Sequence, residues 1–206
     1  MGAVRDLERI IARLNVGNIN PRDMLALANS LEMVPAVRTL LSSYDLPLIE
    51  RLRENICEMP ELVEKILSAI VDEPPATVSD GGVIREGYNK ELDEFRSAAT
   101  DGKRWVAELQ AKEQERSGIK SLKINYNRVF GYFIEVTKTH LASIPDDYIR
   151  KQTLVNSERF ITPGLKEMES KILGSEDKSK ALEVQLFEEL RKFAGTFTPQ
   201  IQLTAA

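Results

Sequence analysis

The side chains of this chain best suited to chemistry are groups that bind phosphate, and they are concentrated in residues 120–160. Two asparagine amides offer neutral hydrogen-bond donors, and lysine and arginine side chains offer cations. The set comprises Asn127, Asn156, Lys123, Arg128, Arg150 and Lys151. Contacts of these types hold a protein on a nucleic acid without reading its bases. The pattern is not that of a catalytic site, and the sequence therefore predicts binding.

A short β-hairpin is predicted to carry the first of these groups. Alternating apolar residues between positions 122 and 136 indicate two strands with one buried face. The predicted register pairs Tyr126 with Tyr132, Ile124 with Ile134, Leu122 with Val136 and Lys123 with Glu135. The turn then spans residues 127–131, with Gly131 supplying a positive φ angle. Asn127 and Arg128 lie at its tip, and a third strand, residues 150–160, is predicted to carry Asn156.

Long helical patterns flank this β-unit on both sides. Apolar residues recur at helical spacing through residues 89–116, and again after a Thr162-Pro163 start through Phe193. An outgoing and a returning helix are expected to pair antiparallel and to hold the β-unit at their far end. The predicted fold is mainly α (α+β overall), a helical core with a long antiparallel helical lever that carries a small inserted antiparallel β clamp. The predicted segments are a core at 1–87, an outgoing helix at 88–117, the β clamp at 118–161 and a returning helix with the chain end at 162–206.

The first segment is predicted to be a run of short helices without strands. Asn20, Pro21 and Asp23 together form a helix start, with an N-cap amide, a proline at the first position and a carboxylate near the positive end of the helix dipole. Pro35, Pro47 and Pro60 divide the residues that follow. Residues 71–87, which include D-E-P-P and D-G-G, are predicted to be a linker.

Charge and composition restrict the function. The net charge is −4, but residues 118–160 carry seven basic and four acidic side chains, which is +3, and the remainder is −7. A basic β-unit on an acidic frame suits a phosphate-facing tip. The single cysteine excludes an internal disulfide and a cysteine metal site. No apolar run of about 18 residues and no signal peptide are recognised, so a cytoplasmic protein without a membrane partner is expected.

Several ordered segments resemble the MutS family of DNA mismatch-repair proteins. Residues 119–138, D-D-Y-I-R-K-Q-T-L-V-N-S-E-R-F-I-T-P-G-L-K (146–166) and K-I-L-G-S-E-D-K (171–178) are similar to its clamp domain, and D-L-E-R-I-I-A-R-L (6–14) with N-P-R-D-M-L-A-L (20–27) to its helical core. The resemblance implies that the whole protein is a homodimer around DNA, works with mismatch-repair partner proteins, and uses ATP and Mg²⁺ in another domain. The ends of the chain favour a piece of such a protein, and no cofactor is expected in it.

The resemblance also implies roles for particular residues. The clamp grips double-stranded DNA through its phosphate backbone, with Asn127 and Asn156 as the implied contacts and Arg128, Arg150 and Lys151 nearby. No G-x-x-x-x-G-K-[ST] phosphate loop occurs, so this chain is not predicted to be an enzyme. One alternative is a structural lever module whose β-head binds a protein; another is an enzyme with an unrecognised site, disfavoured by the single histidine and cysteine. A MutS2-type paralogue is also disfavoured, because it would lack the inserted clamp, which is present here as residues 119–161.

Overall fold

A computed structural model describes residues 5–205 of the chain. The outermost positions of the predicted first and last segments, 1–4 and 206, lie outside the described residues. Contacts divide the chain into two compact units, one formed by Met1–Lys90 with Lys180–Ala206 and the other by Glu91–Ser179. Helices and a single antiparallel sheet make up these units, which confirms the predicted mainly α, α+β fold class.

The first unit is helical. Its helices are α1 (Leu7–Asn15), α2 (Pro21–Glu32), α3 (Val34–Leu41), α4 (Pro47–Asn55), α5 (Pro60–Ala69), the last part of α7 (Pro163–Gly195) and α8 (Thr198–Ala205). Asn20 caps α2 as predicted, because its side-chain oxygen accepts the backbone N–H of Asp23 at 2.8 Å. Helix α2 packs on α1 and α5, and α1 packs on α8. The core therefore forms around α1 and α2.

The stretch Pro21–Leu41 is long and apolar enough, by length and composition, to cross a membrane. The sequence analysis expected no such stretch. It is interrupted between α2 and α3, and the apolar face of α2, with Met24, Leu27 and Leu31, is almost fully buried in the helical unit. A core helix satisfies the same criterion, and burial accounts for the apolar residues of α2. In α3 only Val34 is buried, whereas Val37 and Leu40 are exposed.

Residues 71–87 were predicted to be a linker, but Val83 and Ile84 within this segment are packed into the first unit. Ile84 forms an antiparallel bridge with Ile70, and Val83 and Ile84 are buried. The backbone N–H groups of Gly82, Val83 and Ile84 all donate to the carboxylate of Glu183 on α7. Gly81 and Gly82 have φ angles of 78° and 79°, which turn successive N–H groups towards one anion. The D-G-G sequence thus forms a binding nest for a buried carboxylate.

The second unit contains α6 (Lys90–Ser117) from Glu91 onwards, the start of α7 and four strands. Within this unit the two helices are antiparallel: Lys178 lies over the ring of Phe95, and Lys103 pairs with Glu176 at 2.6 Å. The helices approach closely at Gly102, where a Cβ atom would overlap the side chain of Ile172. The predicted antiparallel pairing is confirmed for this unit.

The strands are β1 (Lys123–Asn127), β2 (Gly131–Thr137), β3 (Ile149–Thr153) and β4 (Ser157–Ile161), in the order β1-β2-β4-β3. The β1–β2 register matches the prediction at Tyr126–Tyr132, Ile124–Ile134 and Lys123–Glu135. The single third strand was wrong, because residues 150–160 form two strands joined by a turn. Isoleucine, valine and phenylalanine side chains of one sheet face pack with Leu165 and against Trp105 and Leu109 of α6.

Candidate nucleic-acid interface

The first group of predicted residues lies in the turn between β1 and β2. Asn127 and Gly131 form the last pair of the hairpin, and Gly131 has a φ of 74°, as predicted. The Oδ1 atom of Asn127 accepts the backbone N–H of Val129 at 2.8 Å, which closes the turn. Among the described residues, none accepts a hydrogen bond from the Nδ2 group of Asn127. This amide therefore stabilises the turn with its oxygen and offers its nitrogen to an external acceptor.

The second group lies in the turn between β3 and β4, which the sequence analysis did not predict. Leu154 donates its backbone N–H to the carbonyl of Ser157 at 2.9 Å, and Lys138 donates to the carbonyl of Asn156 at 3.1 Å. The side chain of Asn156 is exposed and makes no hydrogen bond within residues 5–205. Asn156 thus occupies a turn and not the interior of a strand, which leaves its whole amide available.

The two turns lie at opposite ends of the sheet. Strand β2 begins at the first turn with Gly131, and its last residue, Thr137, pairs with Ser157 beside the second turn. At about 3.3 Å per residue, the seven residues of β2 separate the turns by about 20 Å. The fold therefore does not bring Asn127 and Asn156 together at one point but places them at two ends of one surface.

The four predicted cations differ in their pairing. Arg128, Lys151 and Lys123 are exposed, and no carboxylate of the described chain lies within ion-pair distance of them. The Nε atom of Arg150 lies 2.7 Å from Oε2 of Glu158, whose side chain is only 6% exposed. Arg150 neutralises a buried carboxylate, so its charge is paired, unlike those of Arg128, Lys123 and Lys151.

The exposed charge that remains around the sheet is positive. Three of the four acidic residues are paired: Glu135 with Arg159, Asp147 with Arg116, and Glu158 with Arg150. Within residues 5–205, the basic side chains of residues 118–160 that have no such partner are Lys120, Lys123, Arg128, Lys138 and Lys151. Lys138 was counted in the net charge but not singled out, because its backbone contact with Asn156 depends on the fold.

A polar network stabilises the sheet face that carries Lys123. Arg159 lies over the ring of Phe133 at 4.3 Å, pairs with Glu135 at 3.4 Å and donates to Gln152 at 2.8 Å. Ser157 also contacts Glu135, at 3.2 Å. These contacts fix β2, β3 and β4 side by side and keep Arg159 engaged within the sheet, although the sequence counts it among the basic residues.

Side chains at the C-terminal end of α6 hold the start of β3. Tyr148 donates its hydroxyl to Glu113 at 2.7 Å, and burial, with this hydrogen bond, raises the pKa of Tyr148 well above its usual value. Arg116 pairs with Asp147 at 3.0 Å, and this contact is the main reason that the pKa of Arg116 is raised. The second hairpin is therefore positioned by a hydrogen-bonded cluster at the end of a helix.

The described residues include no group of three or more His, Cys, Asp or Glu side chains arranged to hold a metal ion. The site offers amide donors at two turns, with exposed cations in the first turn (Arg128) and on the strands (Lys123 and Lys151). Such an arrangement can bind phosphate oxygens by hydrogen bonds and charge.

A protein-family model and several known proteins match this chain. The model of MutS family domain IV matches residues 87–178, which nearly coincides with the second unit. A DNA mismatch repair protein MutS of Methanothrix thermoacetophila is 47% identical over 208 residues, covering 100% of this chain and 24% of that protein. The MutS of Salinibacter ruber is 50% identical over 186 residues, covering 90% of this chain and 20% of that protein. The MutS of Clostridium tetani is 47% identical over 189 residues, with coverages of 91% and 22%.

The relatives at this level of similarity are DNA mismatch repair proteins of the MutS class. The chain belongs to the MutS family, and its second unit contains domain IV of that family. It spans between a fifth and a quarter of the length of these relatives.

Proposed function

We propose that this chain grips double-stranded DNA through its phosphate backbone and without base specificity. The β1–β2 turn supplies Asn127 and Arg128, and the β3–β4 turn supplies Asn156. Lys123 and Lys151 add positive charge on the sheet, and Arg150 contributes only in combination with Glu158. The observation that carries the proposal is the free amide or cation at both turns, on a surface whose carboxylates are largely paired.

The distance between the turns suits a duplex. Because DNA rises about 3.4 Å per base pair on each strand, a spacing of about 20 Å corresponds to about six base pairs. The groups at the two turns can therefore bind phosphates that are separated along the DNA backbone. Every nucleotide carries such a phosphate, whatever its base. Backbone contacts of this kind position a protein and carry no sequence information, so the clamp is expected to bind matched and mismatched duplexes equally.

The wider roles follow from the family and are part of the proposal. The chain serves as the core and clamp portion, divided into a core at 1–87, an outgoing helix at 88–117, the clamp at 118–161 and a returning segment at 162–206. It links the DNA grip to mismatch-sensing and ATPase domains in the rest of a cytoplasmic, homodimeric protein that acts with other mismatch-repair proteins. ATP and Mg²⁺ are handled by that ATPase domain, and this portion performs no chemistry.

The direct test is a fluorescence-anisotropy titration of a short duplex at two salt concentrations. We expect weak binding, with a dissociation constant of about 10⁻⁴ M, that is equal for matched and mismatched DNA and falls as salt rises. Alanine at Asn127 or at Asn156 is expected to weaken binding by about tenfold each, because a hydrogen bond to a charged group is lost. Lys151→Ala is expected to lower the salt slope by about 0.9.

Asn125→Ala is the matched control, since Asn125 is an exposed asparagine of β1 that lies in neither turn. It is expected to leave the affinity unchanged. A preference for mismatched DNA, or equal losses in all three asparagine variants, would contradict a backbone grip at the turns.

A protein partner for the β-head is the second candidate, and exposed apolar side chains favour it. Val129 and Val155 are 82% and 87% exposed at the two turns, and Ile149 is 50% exposed. A protein-binding surface of this kind predicts an interaction that is insensitive to salt and is lost when Val129 and Val155 are replaced by serine. Phosphate binding instead predicts an affinity that falls as the salt concentration rises. The titration at two salt concentrations therefore separates the two functions.

A further inference from the structure

We propose that Lys166 and Glu169 of α7, together called the α7 clasp, position the β1–β2 turn for phosphate binding. The inference rests on the proposed function, because it names the residues that hold Asn127 and Arg128 in place. Neither member of the clasp is itself a DNA contact in this proposal. All the residues concerned lie within the second unit.

Contacts on both sides of Gly131 form the clasp. Lys166 donates from Nζ to the carbonyl oxygen of Phe130 at 2.8 Å, and the backbone N–H of Tyr132 donates to Oε2 of Glu169. Lys166 and Glu169 also pair with each other at 3.0 Å. One cation and one anion on the same helix therefore bind the acceptor and the donor that flank the end of the turn. Hydrogen bonds that involve charged groups are stronger than those between neutral groups.

The shape of the turn is adapted to the clasp. Gly131 has a positive φ, and a Cβ atom at this position would overlap the carboxylate of Glu169. Glycine is therefore required at position 131 for two reasons: it adopts the positive φ angle, and it leaves room for the carboxylate. The side chain of Glu169 is 15% exposed and that of Lys166 is 33% exposed, whereas Arg128 in the turn is exposed to solvent.

Positioning of this kind affects affinity because a mobile turn must be ordered when it binds. This ordering costs conformational entropy and so lowers the affinity. Asn127 closes the turn internally, and the clasp fixes the closed turn to a helix. The turn is therefore already ordered before DNA binds, and less conformational entropy is lost on binding. The clasp also pairs the negative charge of Glu169 with Lys166, which limits its repulsion of phosphate.

The test compares Glu169→Ala with Glu167→Ala in the full chain, by titration of the same short duplex. Both changes remove one carboxylate from the first turns of α7, but Glu167 is exposed and pairs only with Lys171, at 2.8 Å, among the described residues. Loss of negative charge alone strengthens binding to a polyanion. We expect Glu167→Ala to bind equally or more tightly and Glu169→Ala to bind about three- to fivefold more weakly, as expected when one hydrogen bond is lost.

Three further measurements separate positioning from general loss of structure. The effect of Glu169→Ala is expected to shrink in an Asn127→Ala background and to persist in an Asn156→Ala background. Glu169→Gln, which keeps an oxygen for the N–H of Tyr132, is expected to recover most of the affinity. Hydrogen exchange at the amide of Tyr132 is expected to accelerate in Glu169→Ala, while exchange at Ile134 in the sheet stays slow.

The outcomes distinguish failure of the inference from failure of the proposed function. If Asn127→Ala weakens binding but Glu169→Ala behaves like Glu167→Ala, the clasp has no positioning role and the phosphate grip stands. If neither Asn127→Ala nor Asn156→Ala changes the affinity, the proposed function is wrong. Equal effects of Glu169→Ala in both asparagine backgrounds, or faster exchange at Ile134, would overturn positioning in favour of a general structural role.

Discussion

Replacing Glu183 by alanine is expected to lower the free energy of unfolding of the first unit by about 3 to 5 kcal/mol. The Glu183 side chain is 2% exposed and accepts three successive backbone N–H groups, from Gly82 at 3.0 Å, Val83 at 2.7 Å and Ile84 at 3.3 Å. Alanine removes this acceptor from all three donors, and those of Val83 and Ile84 lie in a buried place. Unsatisfied buried donors cost about 1–3 kcal/mol each, which exceeds any benefit from removing the charge.

Urea unfolding followed by circular dichroism measures this loss, and amide exchange at Val83 locates it. Glu189→Ala is the matched control, because Glu189 is exposed on the same helix and accepts only from Gln185, at 3.0 Å, among the described side chains. It is expected to change stability by less than about 0.5 kcal/mol. An equal small effect of both substitutions would show that the nest around residues 82–84 is stable without its carboxylate.

Replacing Gly102 by valine is expected to destabilise the second unit by about 3 kcal/mol, at the upper end of the usual cost of overpacking. Gly102 is buried in α6, and a Cβ there would overlap Cγ1 of Ile172 and lie 3.0 Å from its Cδ1. The helix backbones must then separate, or Ile172 must leave a buried position. Alanine at Gly102 is expected to cost less, since its better helix propensity returns about 1 kcal/mol.

Gly174→Ala provides the control with the opposite sign. Gly174 lies in α7, and a Cβ added there meets nothing within 4 Å. Alanine is therefore expected to stabilise by about 0.5–1 kcal/mol through helix propensity alone. The midpoint temperature of thermal unfolding should fall for Gly102→Val and rise for Gly174→Ala. Adding Ile172→Ala to Gly102→Val should relieve part of the strain. Destabilisation by both alanine substitutions to the same extent would contradict a close approach at Gly102.

Local physical chemistry explains why much of this fold is readable from the sequence. The β1–β2 register follows from alternating apolar residues and from Gly131, since strand faces alternate with a period of two. The start of α2 follows from Asn20 and Pro21, which act within one turn of helix. Family resemblance extended the prediction to a clamp that binds phosphate groups, because long ordered segments match MutS proteins.

The sequence by itself determined the helices, the first hairpin, the basic character of the β-unit and the family. Tertiary structure decided that residues 150–160 form two strands, that Asn127 and Asn156 lie at opposite ends of the sheet, and that Arg150 is paired with Glu158. Spacing along the chain fixes neighbours within one element, whereas pairing between β2 and β4 joins residues twenty or more positions apart. The roles of Glu169 and Glu183 belong to this second group, because each carboxylate binds backbone N–H groups that only folding brings to it.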